Sequence, residues 1–159
     1  MKFAVITHIE HFEKNGIHYS YGPYVREMNL WFSYVDEVQV VGTFSSKNPG
    51  SIDLPYKATR LQLIKVSSFD ITSIAQAGRA LLVLPVIIKK IYQAMSGADH
   101  IHLRCPGNMG LLGTIVQIFF PKKKKTAKYA GNWDPKAKQP WSYKLQKWIL
   151  SNTFLTRNM

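Results

Sequence analysis

Short apolar runs recur along the chain, each followed by a polar stretch or by a longer segment with a three-to-four-residue apolar period. Phe3 to Thr7 is the first run and predicts a short buried strand. A polar loop is expected from about Ile9 to Ser20, carrying Asn15-Gly16. Pro23 fits the first turn of a helix, where its missing N–H costs nothing. Tyr24, Met28, Trp31 and Val35 then recur at spacings of four, three and four, which marks one helical face. Glu37 to Val41 reads as the next strand, closed by Gly42. Thr43 to Tyr56, rich in Ser, Gly, Pro and Asn, reads as a loop.

Leu61 to Val66 predict a third strand. Asp70 is the expected N-cap of a helical region reaching Met95, and Leu84-Pro85 should kink or split it. Asp99 to Arg104 form a fourth strand. Pro106-Gly107-Asn108 lead into a helix with Met109, Leu112, Val116 and Phe119 on one side. Thr126 to Ala130 are a fifth strand, Gly131 to Gln139 a loop, Pro140 to Leu150 a helix and Thr153 to Thr156 a sixth strand. Trp141, Leu145 and Trp148, spaced by four and three, read as core.

Strands alternating with helices predict an α/β fold with a mostly parallel sheet covered on both faces. Right-handed crossovers make it Rossmann-like and doubly wound, with helix, sheet and helix as three layers. Such sheets bind ligands outside the C-terminal ends of their strands. Four segments fall on that rim: His8 to Tyr21, Gly42 to Ser51, Arg104 to Met109 and Gly131 to Asp134.

Composition narrows the class. The 159 residues suit one domain, and 46% hydrophobic against 19% charged residues describe a globular chain. Lys and Arg number 21 against 9 Asp and Glu, a formal charge of +12. That field attracts nucleic acid, anionic lipid or phosphorylated substrates without choosing among them. The lone Cys105 excludes an internal disulfide and fits a reducing compartment. The start is too short for a signal peptide. The longest apolar stretch, Ala80 to Ile88, contains Pro85, whereas a membrane span needs about 20 residues. A cytoplasmic protein without a transmembrane segment is expected, at most peripheral to the inner face of the membrane.

The first rim loop holds three of the five histidines, His8, His11 and His18. They lack the i, i+4 spacing of a helical zinc pair, and no metal is expected. Neither G-x-G-x-x-G nor a P-loop motif occurs, which disfavours a dinucleotide site. The loop reads either as a hydrogen-bonding cover over a polar substrate or as a solvated turn. In the fourth strand, alternation puts His100, His102 and Arg104 on one face and Ile101 and Leu103 on the other. Arg104 should emerge at the rim and pair with phosphate or carboxylate; the plainer reading makes it an ion-pair partner and His102 a core histidine. Asn132, Trp133 and Asp134 form a set suited to reading a sugar, although Asp-Pro is equally a turn signal. Lys122, Lys123, Lys124 and Lys125 follow Phe119-Phe120-Pro121 on the edge opposite the rim. They suit contact with an anionic membrane surface, or form a solvated charged turn.

The segments Y-G-P-Y-V-R-E-M-N-L-W, A-D-H-I-H-L-R-C-P-G-N-M-G-L-L-G and K-Y-A-G-N-W-D-P, in this order, resemble the N-terminal domain of retaining glycosyltransferases of family 4 (glycosyl transferases group 1). The likeness runs through T-F-L-T-R-N and covers nearly the whole chain. It implies a GT-B architecture, two Rossmann-like domains with the active site between them. The N-terminal one receives a glycan or lipid-linked acceptor; the C-terminal one holds the nucleotide-sugar and carries an E-x7-E element that this sequence lacks. The chain would thus be the acceptor-side domain, 1–159, without its donor-binding domain and inactive alone. The donor is a substrate, and no cofactor or nucleic acid is implied. Carried over, the stretch from Gly16 through His18 to Tyr21 would approach the diphosphate and acceptor, and Arg104 would contact phosphate or acceptor. His102 matches the family's strand-four histidine. Asn132 falls where many members have a histidine; an amide can hydrogen-bond a hydroxyl but cannot act as a base. The first loop also lacks the family's paired glycines. Two rival classes remain. A nucleic-acid-binding or other non-catalytic Rossmann-like module is favoured by charge alone, without an RNP, KH or helix-turn-helix signature. A flavodoxin-like or response-regulator module needs a phosphate loop or acidic pocket that Thr7-His8 does not supply.

Overall fold

The computed structural model describes residues 1–67, 74–134 and 136–159. In chain order the elements are β1 (Lys2–Ile6), β2 (His11–Lys14), β3 (Ile17–Tyr21), α1 (Gly22–Phe32), β4 (Glu37–Thr43), β5 (Asp53–Pro55), β6 (Leu61–Val66), α2 (Ile74–Gly97), β7 (His100–Cys105), α3 (Asn108–Val116), β8 (Lys124–Tyr129) and α4 (Trp141–Ser151). Five strands form an all-parallel sheet in the order β6-β4-β1-β7-β8. Strands buried on both faces need apolar side chains at every position, and β1 supplies them from Phe3 to Ile6. Its Ala4 and Ile6, with Ile101 and Leu103 of β7, meet Ile87, Ile91 and Met95 of α2 and Met109, Leu112 and Val116 of α3. Its Phe3 and Val5 face the other way, onto Tyr24, Val25, Met28 and Phe32 of α1. The fold is therefore the expected Rossmann-like three-layer sheet. No helix among the described residues is long and apolar enough to cross a membrane.

The chain departs from expectation at five places. The polar stretch after β1 is a hairpin, β2 with β3, closed by Asn15 and Gly16 at φ 53° and 75°. Positive φ at both central residues is what a tight two-residue hairpin turn requires, and Asn-Gly provides it. Within the supposed loop 43–56, β5 pairs antiparallel with β3 to complete a small second sheet. Helix α2 is not split at Pro85 but continues as one element, because its buried Ile87, Ile91 and Met95 hold the segment against the sheet and packing overrides local propensity. Asp70 lies outside the described residues. Thr153 to Thr156 form turns, not a sixth strand. There Asn152 Oδ1 accepts the N–H groups of Phe154 and Leu155, and Thr156 Oγ1 donates to the Asn152 carbonyl at 2.7 Å. Such local bonds compete with extended backbone.

The fifth departure is α4. Its buried residues are Gln146 and Ile149, whereas Trp141 and Trp148 are 67% and 59% exposed. The four-and-three spacing marks a stripe but not the direction in which it points.

Helix α3 approaches β7 closely because Gly110 has no side chain. A Cβ there would lie 2.8 Å from the Arg104 carbonyl oxygen, 2.9 Å from Gln146 Oε1 and 3.1 Å from the Cys105 sulfur. Gly110→Ala should lower unfolding free energy by about 1–3 kcal/mol, measured by urea denaturation. An unchanged midpoint would mean that α3 shifts freely.

Candidate functional site

Strand order reverses at β1. From β1 the chain first builds outward through β4 and β6, then crosses back to β7 and β8. The loops leaving β1 and β7 therefore diverge and open a crevice at the C-terminal rim. There the structure has a cavity of about 320 Å³ lined by His8, Thr43, Pro106, Gly107, Asn108, Met109 and Tyr143. Three of the four rim segments contribute to it. Thr7 fixes the exit from β1: its N–H donates to the Val41 carbonyl, and its Oγ1 accepts the Ile9 N–H at 3.1 Å. His8 is thereby held at the rim.

The opposite wall begins with a cis Cys105–Pro106 bond and Gly107 at φ 143°. Residues with Cβ atoms rarely adopt that φ. A side chain at Gly107 would also stand 3.3 Å from the His8 ring. Gly107 caps α3 without a side-chain hydrogen bond, so the positive end of this helix opens toward the cavity and favours an anion or hydroxyl oxygen. Partial burial and the Arg104 charge hold the His8 pKa below its ordinary value, against a hydrogen bond to the Arg104 backbone. His8 is therefore a neutral imidazole near pH 7, able to donate at one nitrogen and accept at the other. Burial pushes the Cys105 thiol up to about 11, which makes it an inert packing group.

Most residues singled out in the sequence lie elsewhere. Gly16 is at the hairpin tip, with open space where a Cβ would be. His18 faces Glu13 across the hairpin, Nδ1 to Oε2 4.0 Å. Tyr21 ends β3 opposite Asp53. His102 is buried beneath α1, its ring 5.5 Å from Trp31 and 5.9 Å from Phe3, with Nδ1 2.8 Å from Thr126 Oγ1. The alternation of His100, His102 and Arg104 thus holds, but on the α1 face.

Arg104 does not emerge as a free rim cation. Its Nη1 donates to Glu27 Oε2 at 2.7 Å, its guanidinium lies 5.0 Å from the Tyr24 ring, and Lys128 Nζ donates to the same carboxylate oxygen at 2.7 Å. Burial alone would raise the Glu27 pKa, but the two cations hold it below the usual carboxylate range. Alternation set the face; the carboxylate of α1 then took the charge.

Asn132 Oδ1 accepts the Asp134 N–H at 2.8 Å, and Asp134 Oδ1 accepts the Lys136 N–H at 2.9 Å. Both side chains shape their own turn, which abuts the crevice where Gly131 meets Pro106. Trp133 leans on Tyr129 at 4.9 Å and lines a separate cavity at the outer edge of β8. The lysine run is split. Lys123 Nζ donates to the Ser96 and Ala98 carbonyls at the end of α2, and buried Lys125 donates to the Arg157 carbonyl at 2.8 Å. Lys122 and Lys124 face solvent, Lys124 opening β8.

Of the lining residues only Tyr143 falls outside the four rim segments. It carried no signal in the sequence, because only the packing of α4 on α3 brings it there. Among the described residues no cluster of His, Cys, Asp and Glu side chains could hold a metal ion. No protein-family model and no curated protein matches this chain.

Burial outside the crevice sets the acid response. It lowers the pKa of His11 and of His102 to about 4, in His102 with help from the Arg104 charge. An unfolded histidine titrates near 6.5. As pH falls through that window the unfolded chain gains protons that the folded chain refuses, so stability is lost. The loss should total several kcal/mol, on the order of 3 per histidine, in denaturant titrations between about pH 7 and about pH 4. His102→Gln should flatten the slope; an unaltered slope would remove His102 from this account.

Proposed function

We propose that this chain is the acceptor-side half of a retaining GT-B glycosyltransferase, moving a sugar from a nucleotide-sugar to a glycan or lipid-linked acceptor. The observation that carries the reading is the rim cavity at the strand-order reversal. Its walls pair polar groups with apolar ones: the His8 imidazole, the Thr43 hydroxyl, the α3 N-terminus and the Tyr143 hydroxyl beside Pro106 and Met109. A saccharide offers the matching surface, a ring of hydroxyls around apolar C–H faces. The order of segments that resemble the glycosyltransferase family supports the same reading, with the Pro106-Gly107-Asn108 turn at the cavity wall.

In this reading the acceptor hydroxyl hydrogen-bonds neutral His8, and Tyr143 closes the opposite side. The acceptor oxygen bonds to the anomeric carbon as the bond to the diphosphate breaks, and the hydroxyl proton leaves with a diphosphate oxygen. An oxocarbenium-like transition state needs orientation and charge stabilisation and no protein nucleophile. The N-terminus of α3 lies where negative charge on the departing group can be met. Asn132, engaged with Asp134, has a positioning role next to the crevice. The donor belongs to a companion Rossmann-like unit, and the acceptor-side location is cytoplasmic.

Oligosaccharides titrated into the chain and followed by NMR should bind. His8→Ala and Tyr143→Phe should each weaken binding by about tenfold, the scale of one lost hydrogen bond, with dispersed spectra retained. The chain alone should transfer no sugar from nucleotide-sugars. Transfer by the chain alone, or saccharide binding indifferent to both variants, would contradict the proposal.

A further inference from the structure

The outward face of α4 has no role in the reading above. Trp141 and Trp148 lie two helical turns apart, with Lys144 between them on the same side, opposite buried Gln146 and Ile149. Among the described residues neither tryptophan stacks on another ring. Just past the helix, Phe154 is 71% exposed and the Arg157 guanidinium stands 4.7 Å over its ring. From Lys136 to Met159 the sequence contains five Lys or Arg and no Asp or Glu. The ring surface is therefore apolar, outward-pointing and surrounded by one sign of charge.

We infer that this face docks on an anionic lipid bilayer, with α4 lying in the interfacial plane. Large apolar side chains in water are unfavourable. Indole suits the boundary between headgroups and acyl chains, since its ring is apolar and its N–H needs a polar partner. Lysines flanking such rings gain from the negative surface potential. An amphipathic helix with aromatic residues on one side and cations around them has the form of an interfacial anchor. Nucleic acid is the less favoured occupant. Base-stacking aromatics line a groove that tracks the phosphate backbone, whereas these rings stand clear on the ridge of a single helix. The inference is independent of the glycosyltransferase reading. It also moves membrane contact away from the lysine run, where Lys123 and Lys125 are bound to backbone carbonyls.

The test is co-sedimentation of the chain with vesicles of phosphatidylcholine alone and of phosphatidylcholine with phosphatidylglycerol. Binding is expected to the anionic vesicles, with a blue shift of tryptophan emission, and at least about tenfold weaker binding to the neutral ones. The double variant Trp141→Ser/Trp148→Ser should weaken anionic binding by a similar factor at unchanged circular dichroism. Should that variant misfold, acyl chains carrying bromine provide a readout on the unaltered chain, whose emission they should quench. No binding to anionic vesicles, or binding without blue shift or quenching, overturns the inference. So does a dimer abolished by the double variant, or single-stranded RNA that quenches the emission and displaces the vesicles.

Discussion

Everything in this fold is arranged around β1 having a neighbour on each side. Main-chain bonds tie it to β4 along one edge and to β7 along the other, and helices cover both its faces. No position in β1 from Phe3 to Ile6 can therefore face water, and none does. The same constraint generates the crevice. Chain leaving β1 must return at β4, and chain leaving β6 must cross to β7 beyond the far edge of β1. Loops that part in opposite directions leave space between them at the rim. His8 and Gly107 meet at one border of that space because their strands are adjacent.

Close approaches keep the rim in shape. Gly110 lets α3 sit on the end of β7, and Gly107 lets the His8 ring pack against backbone. On the other side, Glu27 gathers Arg104 from β7 and Lys128 from β8, so one carboxylate of α1 spans two strands. Ion pairs removed from water gain little net stability after desolvation. Their directional bonds fix where α1 ends up relative to the sheet. With Arg104 so engaged, the polar chemistry left to the cavity is neutral: an imidazole, hydroxyls and helix N–H groups. That favours recognition of hydroxyl-rich ligands over tight capture of a polyanion, despite the net charge of +12.

The layered sheet was legible because its information is local. Unbroken apolar runs mark strands covered on both faces, and the Pro23 and Pro106-Gly107 punctuation marks where helices begin. Alternation also placed His102 and Arg104 on one face correctly. What stayed hidden depends on partners distant in sequence. The hairpin β2–β3 is mostly exposed and lacks a clean period, so only Asn15-Gly16 announced it. β5 is three residues long and exists because β3 accepts it. The plainer reading of Arg104 as an ion-pair partner holds, but its partner Glu27, 77 residues earlier, left no mark in the local pattern. Two tryptophans looked like core because hydrophobicity implies burial only when a neighbouring element covers them. Within the site, His8 was readable from the end of its strand, whereas Tyr143 depended on how α4 packs.

The central claim is that ligand enters where the strand order reverses. A crystal structure of the chain grown with an oligosaccharide tests it most directly. The account predicts saccharide density in the cavity lined by His8, Thr43 and Tyr143, with a hydroxyl against the α3 N-terminus. Density at the hairpin tip beside Gly16, or on Trp133 at the β8 edge with the rim cavity empty, would contradict it.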